Sequence, residues 1–238
     1  MSLFRLFKIL RKLSRWQEDD LRRLEKLIRA KKEGKPAPAP SPAEPVPVPS
    51  APPMEVKEER VLLCIGPEAV FHSEARVENL RGDRGAITVG PHTHVRGELL
   101  LFPYGGTLRM GSHGYVGVNS RIWSGDQVVI GDNVLISHDV FITSTNGHEL
   151  DARERALGYR RMLREGHSAD KGSILTAPVT IGDDVWINPQ SVILPGVSIG
   201  RGSVIGCGSV VTRSIPAGVL AAGNPARVIR ELTPLPGG

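Results

Sequence analysis

Along residues 181–211 a branched aliphatic recurs at every sixth position: Ile181, Ile187, Ile193, Ile199, Ile205 and Val211. Four places after the first five of these stand Val185, Ser191, Val197, Ser203 and Ser209, all small or branched. An earlier, rougher run keeps the same interval in three pieces: Val89, Val95 and Leu101; Met110, Val116 and Ile122; Ile130, Ile136 and Ile142. A period of two marks ordinary strands and 3.6 marks helices. A period of six is neither. It predicts a parallel β-helix, in which each short strand turns one aliphatic inward and a corner follows. Three strands close a coil of about eighteen residues, and the body has length for roughly seven coils. Coils stack at the spacing of neighbouring strands, ~4.8 Å.

The rhythm breaks at "FITSTNGHEL" (141–150). The position after Ile142 in the series is His148, and no further tick follows until about 181. The segment 149–178 reads as an inserted loop, rich in arginine: Arg153, Arg155, Arg160, Arg161 and Arg164. Long loops in compact domains tend to be functional or disordered; this one is expected to reach over an acceptor site, its own or a neighbour's, with a solvated helical excursion as the plain alternative.

Ahead of the body, 60–238, lie two other segments. Residues 1–33 read as a basic amphipathic helix, free of Pro and Gly. Residues 34–59 are a Pro-rich linker, semi-extended by composition. Two readings of the helix stay open. Leu3, Leu6, Leu10, Leu13, Leu24 and Leu27 form a broken heptad that suits self-association. Phe4, Phe7 and Trp16 among cations suit the surface of an anionic membrane. A solvated tail is the plain alternative.

Charge follows the same division. The net charge is +5, but residues 1–34 alone carry eleven Lys/Arg and five acids, leaving 19 basic against 20 acidic residues in the rest. A body so balanced gives no argument for nucleic acid. Two cysteines, Cys64 and Cys207, make neither a disulfide framework nor a zinc cluster. No apolar run approaches the ~20 residues of a membrane span, and the cations in "MSLFRLFKILRKLSRW" interrupt any signal-peptide core. The expected place is cytoplasmic, with peripheral contact at the membrane's inner face if the helix binds there.

The stretches "IGDNVLISHDVFITSTNGHELD" (130–151) and "PVTIGDDVWINPQSVILPGVSIGRGSVIGCGSVVTRSIPAGVLAAGNPARVIREL" (178–232), and more loosely 85–129, resemble the left-handed β-helix hexapeptide-repeat acyltransferases. Within that family they are most similar to sugar O-acetyltransferases of the maltose and galactoside type. The resemblance implies a mainly β, left-handed prism with a short C-terminal helix. It also implies a homotrimer, with acetyl-CoA as co-substrate between neighbouring prisms and no metal.

The family's catalytic histidine follows an "IGDN" coil in a "GHP" stretch, which places the role on His148. A sugar hydroxyl is a poor nucleophile. An imidazole, which titrates near neutrality, can take its proton as the oxygen attacks a thioester. On repeat logic alone His148 is a polar residue at the first turn of a surface loop.

The acetyl-CoA positions map by motif. Trp186 in "VWIN" matches "VWIG", with Asn188 in place of the usual glycine. Cys207 in "IGCGS" stands where Ala is common. Thr212 and Arg213 in "VVTRSIP" match "VVTKDIP", and Arg227 and Arg230 in "NPARVIRE" match "NPAKVIR". Cations at these places suit the phosphates of CoA. Trp186 as a corner cap and the arginines as surface charge are the ordinary alternatives. On the acceptor side Asn119 and Asp126 fall near the family's substrate-binding positions, although "VGVNSRIWSGDQVV" lacks its "NFN". A zinc site of the γ-carbonic anhydrase kind needs histidines five apart on one coil, whereas His138 and His148 are ten apart.

The function expected is acetyl transfer from acetyl-CoA to a sugar hydroxyl, in surface polysaccharide or glycolipid biosynthesis. N-acetylation of an amino sugar is the alternative enzyme. A non-catalytic scaffold is the alternative class, and it needs neither the histidine nor the CoA-side arginines.

Overall fold

The computed structural model describes residue 29 and residues 63–232. Apart from Arg29, which is helical and exposed, the helix expected over 1–33 and the linker over 34–59 lie outside the described residues.

The body is a triangular prism of three sheets, parallel throughout except for the last strand of the second. The first runs from Cys64–Ile65 to Ser198–Ile199 with six strands, and the third from Arg76–Asn79 to Val210–Val211, also with six. The second begins at Val70–Phe71 and has eight. The chain visits the sheets in turn, so each strand pairs with the strand one coil away. Ile130 lies beside Ile181, Ile136 beside Ile187 and Ile142 beside Ile193. Six complete coils form, and Val219–Gly223 opens a seventh beside Val204–Ile205.

The inward series fills the prism. Ile136, Ile142, Ile187, Ile193 and Ile205 are completely buried. Each such side chain contributes about 1.5–3 kcal/mol by leaving water. The small residues of the pattern point inward at corners, where they close gaps between coils. Ser120 Oγ donates to Ser137 O at 2.6 Å and accepts from Val140 N at 3.1 Å. Ser203 Oγ likewise donates to Pro216 O and accepts from Val219 N. These hydroxyls satisfy buried backbone groups that no ladder reaches. Many corners use a left-handed residue, and it is often not glycine: His92, His113, Asn119, Asn133 and Gln190 all have φ between 54° and 62°.

On Glu98–Leu101 two leucines face inward, Leu99 beside Ile122 and Leu101 beside Ser124. One expectation is corrected. The short C-terminal helix is replaced over Ala226–Glu231 by a strand, antiparallel to Val219–Gly223. Gly223 at φ 106° and the following Asn224-Pro225 turn the chain back, and β-branched Val228 and Ile229 favour the extended form.

Candidate active site

Between Phe141–Thr143 and Val179–Ile181 the chain leaves the third sheet. It departs at Ser144, sooner than the sequence pattern placed it. A narrow neck closes the excursion: Thr145 bridges Thr176 antiparallel, Asn146 N donates to Leu175 O, and Ala177 N donates to Ser144 O. Ser144 plugs the corner that the missing tick leaves. Completely buried, its hydroxyl accepts from Gly125 N and Asp126 N, both at 3.1 Å. Gly125 is required here, because a Cβ would stand 2.7 Å from Tyr104 and 2.9 Å from Thr145.

Past the neck the excursion carries one helix, Ala152–Glu165. Asp151 caps it, accepting from Arg153 N and Glu154 N at 2.9 Å, and Gly166 at φ 82° ends it. None of its residues is buried. It stands beside His148, with Tyr159 presenting a ring at 6.4 Å and 75° to the imidazole. Gly158 lies mid-helix, where glycine costs about 1 kcal/mol. The Glu149 carboxylate lies over it, 2.6 Å from where a Cβ would stand.

His148 is exposed and stands on the rim of two clefts. The smaller, about 130 Å³, lies between Tyr104 and the loop residues Arg161, His167 and Asp170. The larger, about 470 Å³, spreads over the outer face of the third sheet, floored by Trp123, Phe141, Leu194 and Pro195. The two rings meet edge to face with centroids 5.0 Å apart. Trp123 is pinned by its Nε1, which donates to Glu98 Oε1 at 2.6 Å. Phe102 extends the cluster, in edge contact with Trp123 and with His167 of the loop. None of these rings was singled out from the sequence. The one available signal was their place on strands beside the break.

The other residues named from the sequence fall into three places. Asp126 sits at the corner that Ser144 plugs, half-buried, with its hydrogen bonds made through its backbone. Thr212 and Arg213 form the exposed turn after Val210–Val211, two coils along that edge. Asn119, left-handed and exposed, lies at the opposite edge of the third sheet, in a charged cleft of about 350 Å³.

The remaining five are on or beside the second sheet. Trp186 is 43% exposed, its Nε1 donating to Ser137 Oγ at 3.2 Å. Asn188 Nδ2 donates to Ile205 O, filling the space a glycine would leave. Cys207 is an exposed, free corner thiol. Arg227 and Arg230 lie on the last strand, both exposed. Within the chain these five stand apart from His148, on a different face.

Of the other histidines, His92 and His113 stack at 4.7 Å, and His72 and His94 share a hydrogen bond of 3.2 Å. Among the described residues no three His, Cys, Asp or Glu form a group able to hold a metal ion. Nor is any helix among them long and apolar enough to cross a membrane.

The bacterial transferase hexapeptide family (six repeats) matches residues 178–213. A galactoside O-acetyltransferase of Escherichia coli (strain K12) is 41% identical over 145 residues, which are 61% of this chain and 64% of that one. The chain therefore spans less than two thirds of that relative's length. Among solved structures, AntD, an N-acyltransferase from Bacillus cereus in complex with dTDP and 3-hydroxybutyryl-CoA, matches with a TM-score of 0.55 at 20% identity, over 72% of this chain and 84% of that chain. A maltose O-acetyltransferase from Clostridium difficile 630 matches with a TM-score of 0.48 at 27% identity, over 73% and 72%. Residues 178–213 are a bacterial transferase hexapeptide segment, and the prism is the left-handed parallel β-helix that this repeat builds.

Proposed function

We propose that this chain is an acetyl-CoA-dependent O-acetyltransferase that modifies a sugar hydroxyl, with His148 as general base. The observation that carries the reading is the position of His148: an exposed imidazole on the rim of an aromatic-floored cleft, where the repeat is broken to place it. Identity of 41% to a galactoside O-acetyltransferase supports the reaction class.

The step needs no covalent enzyme intermediate. The acceptor hydroxyl oxygen attacks the thioester carbonyl carbon while His148 takes its proton. The tetrahedral intermediate collapses, the C–S bond breaks, and the proton passes from His148 to the departing thiolate. The products are the acetyl ester and free CoA.

Acetyl-CoA is placed by Trp186, Cys207, Thr212, Arg213, Arg227 and Arg230. Because Trp186, Cys207, Arg227 and Arg230 lie on or beside the second sheet, the reading requires a homotrimer that brings this face of one prism to the His148 edge of the next. Leu135 and Trp186 stand side by side on the outer face of the second sheet, each about 40% exposed, an apolar pair that fits a surface covered by a neighbour. Asn119 and Asp126 serve the acceptor. Residues 1–33 hold the trimer on an anionic membrane, with the linker as spacer, which suits an acceptor destined for surface polysaccharide or glycolipid.

The test is release of CoA thiol from acetyl-CoA in the presence of sugars, with the acetylated product weighed by mass spectrometry. His148→Ala is expected to lower turnover by about 10²–10⁴, the span of a lost general base, with acetyl-CoA binding kept. Mixed trimers of His148→Ala and Arg227→Glu chains are expected to regain part of the activity, since one interface then holds both intact halves. Half of the wild-type turnover left in His148→Ala defeats the mechanism.

A further inference from the structure

We propose that the acceptor is a phosphorylated sugar, its phosphate held by Arg121, Arg76 and Arg96 and its ring laid on Trp123 and Phe141. This rests on the acetyltransferase reading above and adds the class of acceptor.

The outer face of the third sheet carries the argument. Register places Arg76, Glu98, Arg121 and Phe141 in one row across four neighbouring strands. Trp123 stands two residues from Arg121 on the same strand, roughly 6.6 Å along it. The aromatic cleft beside His148 and the charged cleft around Asn119 thus meet at Arg121–Ser124, where Trp123 floors one and Arg121 lines the other. The two form one path across the sheet, aromatic at the His148 edge and cationic at the Asn119 edge.

The cationic half is under-partnered. Two carboxylates accompany the three arginines, and both are engaged: Glu74 pairs with Arg96, and Glu98 accepts from Trp123 Nε1. Among the described residues the guanidinium groups of Arg121 and Arg76 make no ion pair and no hydrogen bond. Arg96 Nε is buried and has no acceptor. Forked guanidinium donors at several angles suit a tetrahedral phosphate better than a flat carboxylate. On the other half, the Trp123 ring, pinned by Glu98, offers an apolar floor to the face of a pyranose, with Phe141 meeting it edge to face as a side wall. A sugar lying there with its phosphate at Arg121 turns its far hydroxyls toward His148.

The phosphate could be carried by a nucleotide or a lipid, and the chemistry at Arg121 is the same for both. The experiment measures acetyl transfer by the full chain to glucose, galactose and N-acetylglucosamine, each as free sugar, as 1-phosphate, as nucleoside diphosphate sugar and as polyprenyl-phosphate-linked sugar. At least one phosphorylated form is expected to exceed its parent in kcat/KM by about 10- to 100-fold, the reach of a charge-assisted contact. The better of the last two forms identifies the carrier. Arg121→Glu is expected to erase most of that ratio, chiefly through the acceptor KM. Equal use of free and phosphorylated sugars overturns the inference while leaving the acetyltransferase reading intact, and so does an Arg121→Glu variant that keeps the wild-type ratio. A measurement without turnover separates the two readings further. Inorganic pyrophosphate is expected to bind the full chain in calorimetry, and Arg121→Glu is expected to weaken that binding at least tenfold. Wild-type protein that takes no pyrophosphate overturns the inference whatever the assays give.

Discussion

The first and third sheets are interchangeable inside the prism and unlike outside it. Inward, the first stacks Val89, Met110, Ile130, Ile181 and Ile199, and the third stacks Leu99, Ile122, Ile142, Ile193 and Val211. All are nearly or fully buried. Outward, the first presents Thr88, Arg109, Val129, Thr180 and Ser198 in one row, an ordinary solvated surface. The third presents Glu98, Arg121, Phe141, Val192 and Val210, with Trp123 beside them. The core demands the same residue types of every strand. Outward positions are free of that demand, so differences among them report on what each face meets.

The largest effect that tests this division is on stability. Ile187 is completely buried and contacts coils on both sides. Ile187→Ala is expected to cost about 2–5 kcal/mol, a transfer loss plus a cavity, read from the urea midpoint. Trp123→Ala, on the outer face, is expected to shift the midpoint much less and to raise the acceptor KM instead. If Trp123→Ala destabilises as much as Ile187→Ala and leaves KM alone, the outer ring is packing and the division fails.

The same division explains what could be read in advance. The inward series announced the prism, because a period of six has one physical solution. The break at Ile142 announced the excursion and put His148 on it. The outer groove was hidden for two reasons. A six-residue rhythm says which side chain faces in and nothing of which outward neighbours meet. The coils of the first run are also uneven: Val116 lies beside Val95, twenty-one residues earlier, whereas Ile205 lies beside Ile187, eighteen earlier. With coil length varying, the adjacency of Arg121 and Phe141 could not be counted off. The charge at Arg121 and the ring at Trp123 were visible singly and meaningless until register joined them.

A smaller effect probes the edge that His148 and Arg213 share. Arg213 is exposed on the turn that follows the third sheet's last strand. On the acetyl-CoA reading, Arg213→Glu is expected to weaken acetyl-CoA binding by about 1.5–3 kcal/mol, the worth of a hydrogen bond to a charged group. An analogue lacking the 3′-phosphate should lose much less. Equal losses for both ligands would move Arg213 away from that phosphate. Because Arg213 lies on the third sheet's side of the prism and Trp186 on the second, unequal losses at Arg213 also favour a ligand that spans two protomers.

The smallest effect concerns the loop helix, which has no inward face at all. Its start depends on Asp151, whose carboxylate is held below the usual range chiefly by hydrogen bonds from Glu154 N and Arg153 N. The sign follows from that. The folded state binds the proton less readily than the unfolded chain, so the capping contribution is complete above the ordinary aspartate range. It is lost as pH falls through the lower, folded value. Amide exchange over 152–165, corrected for its intrinsic pH dependence, is therefore expected to lose protection below about pH 4, while the Ile187 and Ile193 strands keep theirs longer. Asp151→Asn retains an acceptor but cannot titrate, so it should flatten this dependence. Asp151→Ala should lower the protection of the helix already at neutral pH, because its cap is lost. If Asp151→Asn loses protection at the same pH as wild type, the helix is held by something other than its cap. The natural candidate is then the contact of Tyr159 with His148, and the loop would belong to the site more closely than its exposure suggests.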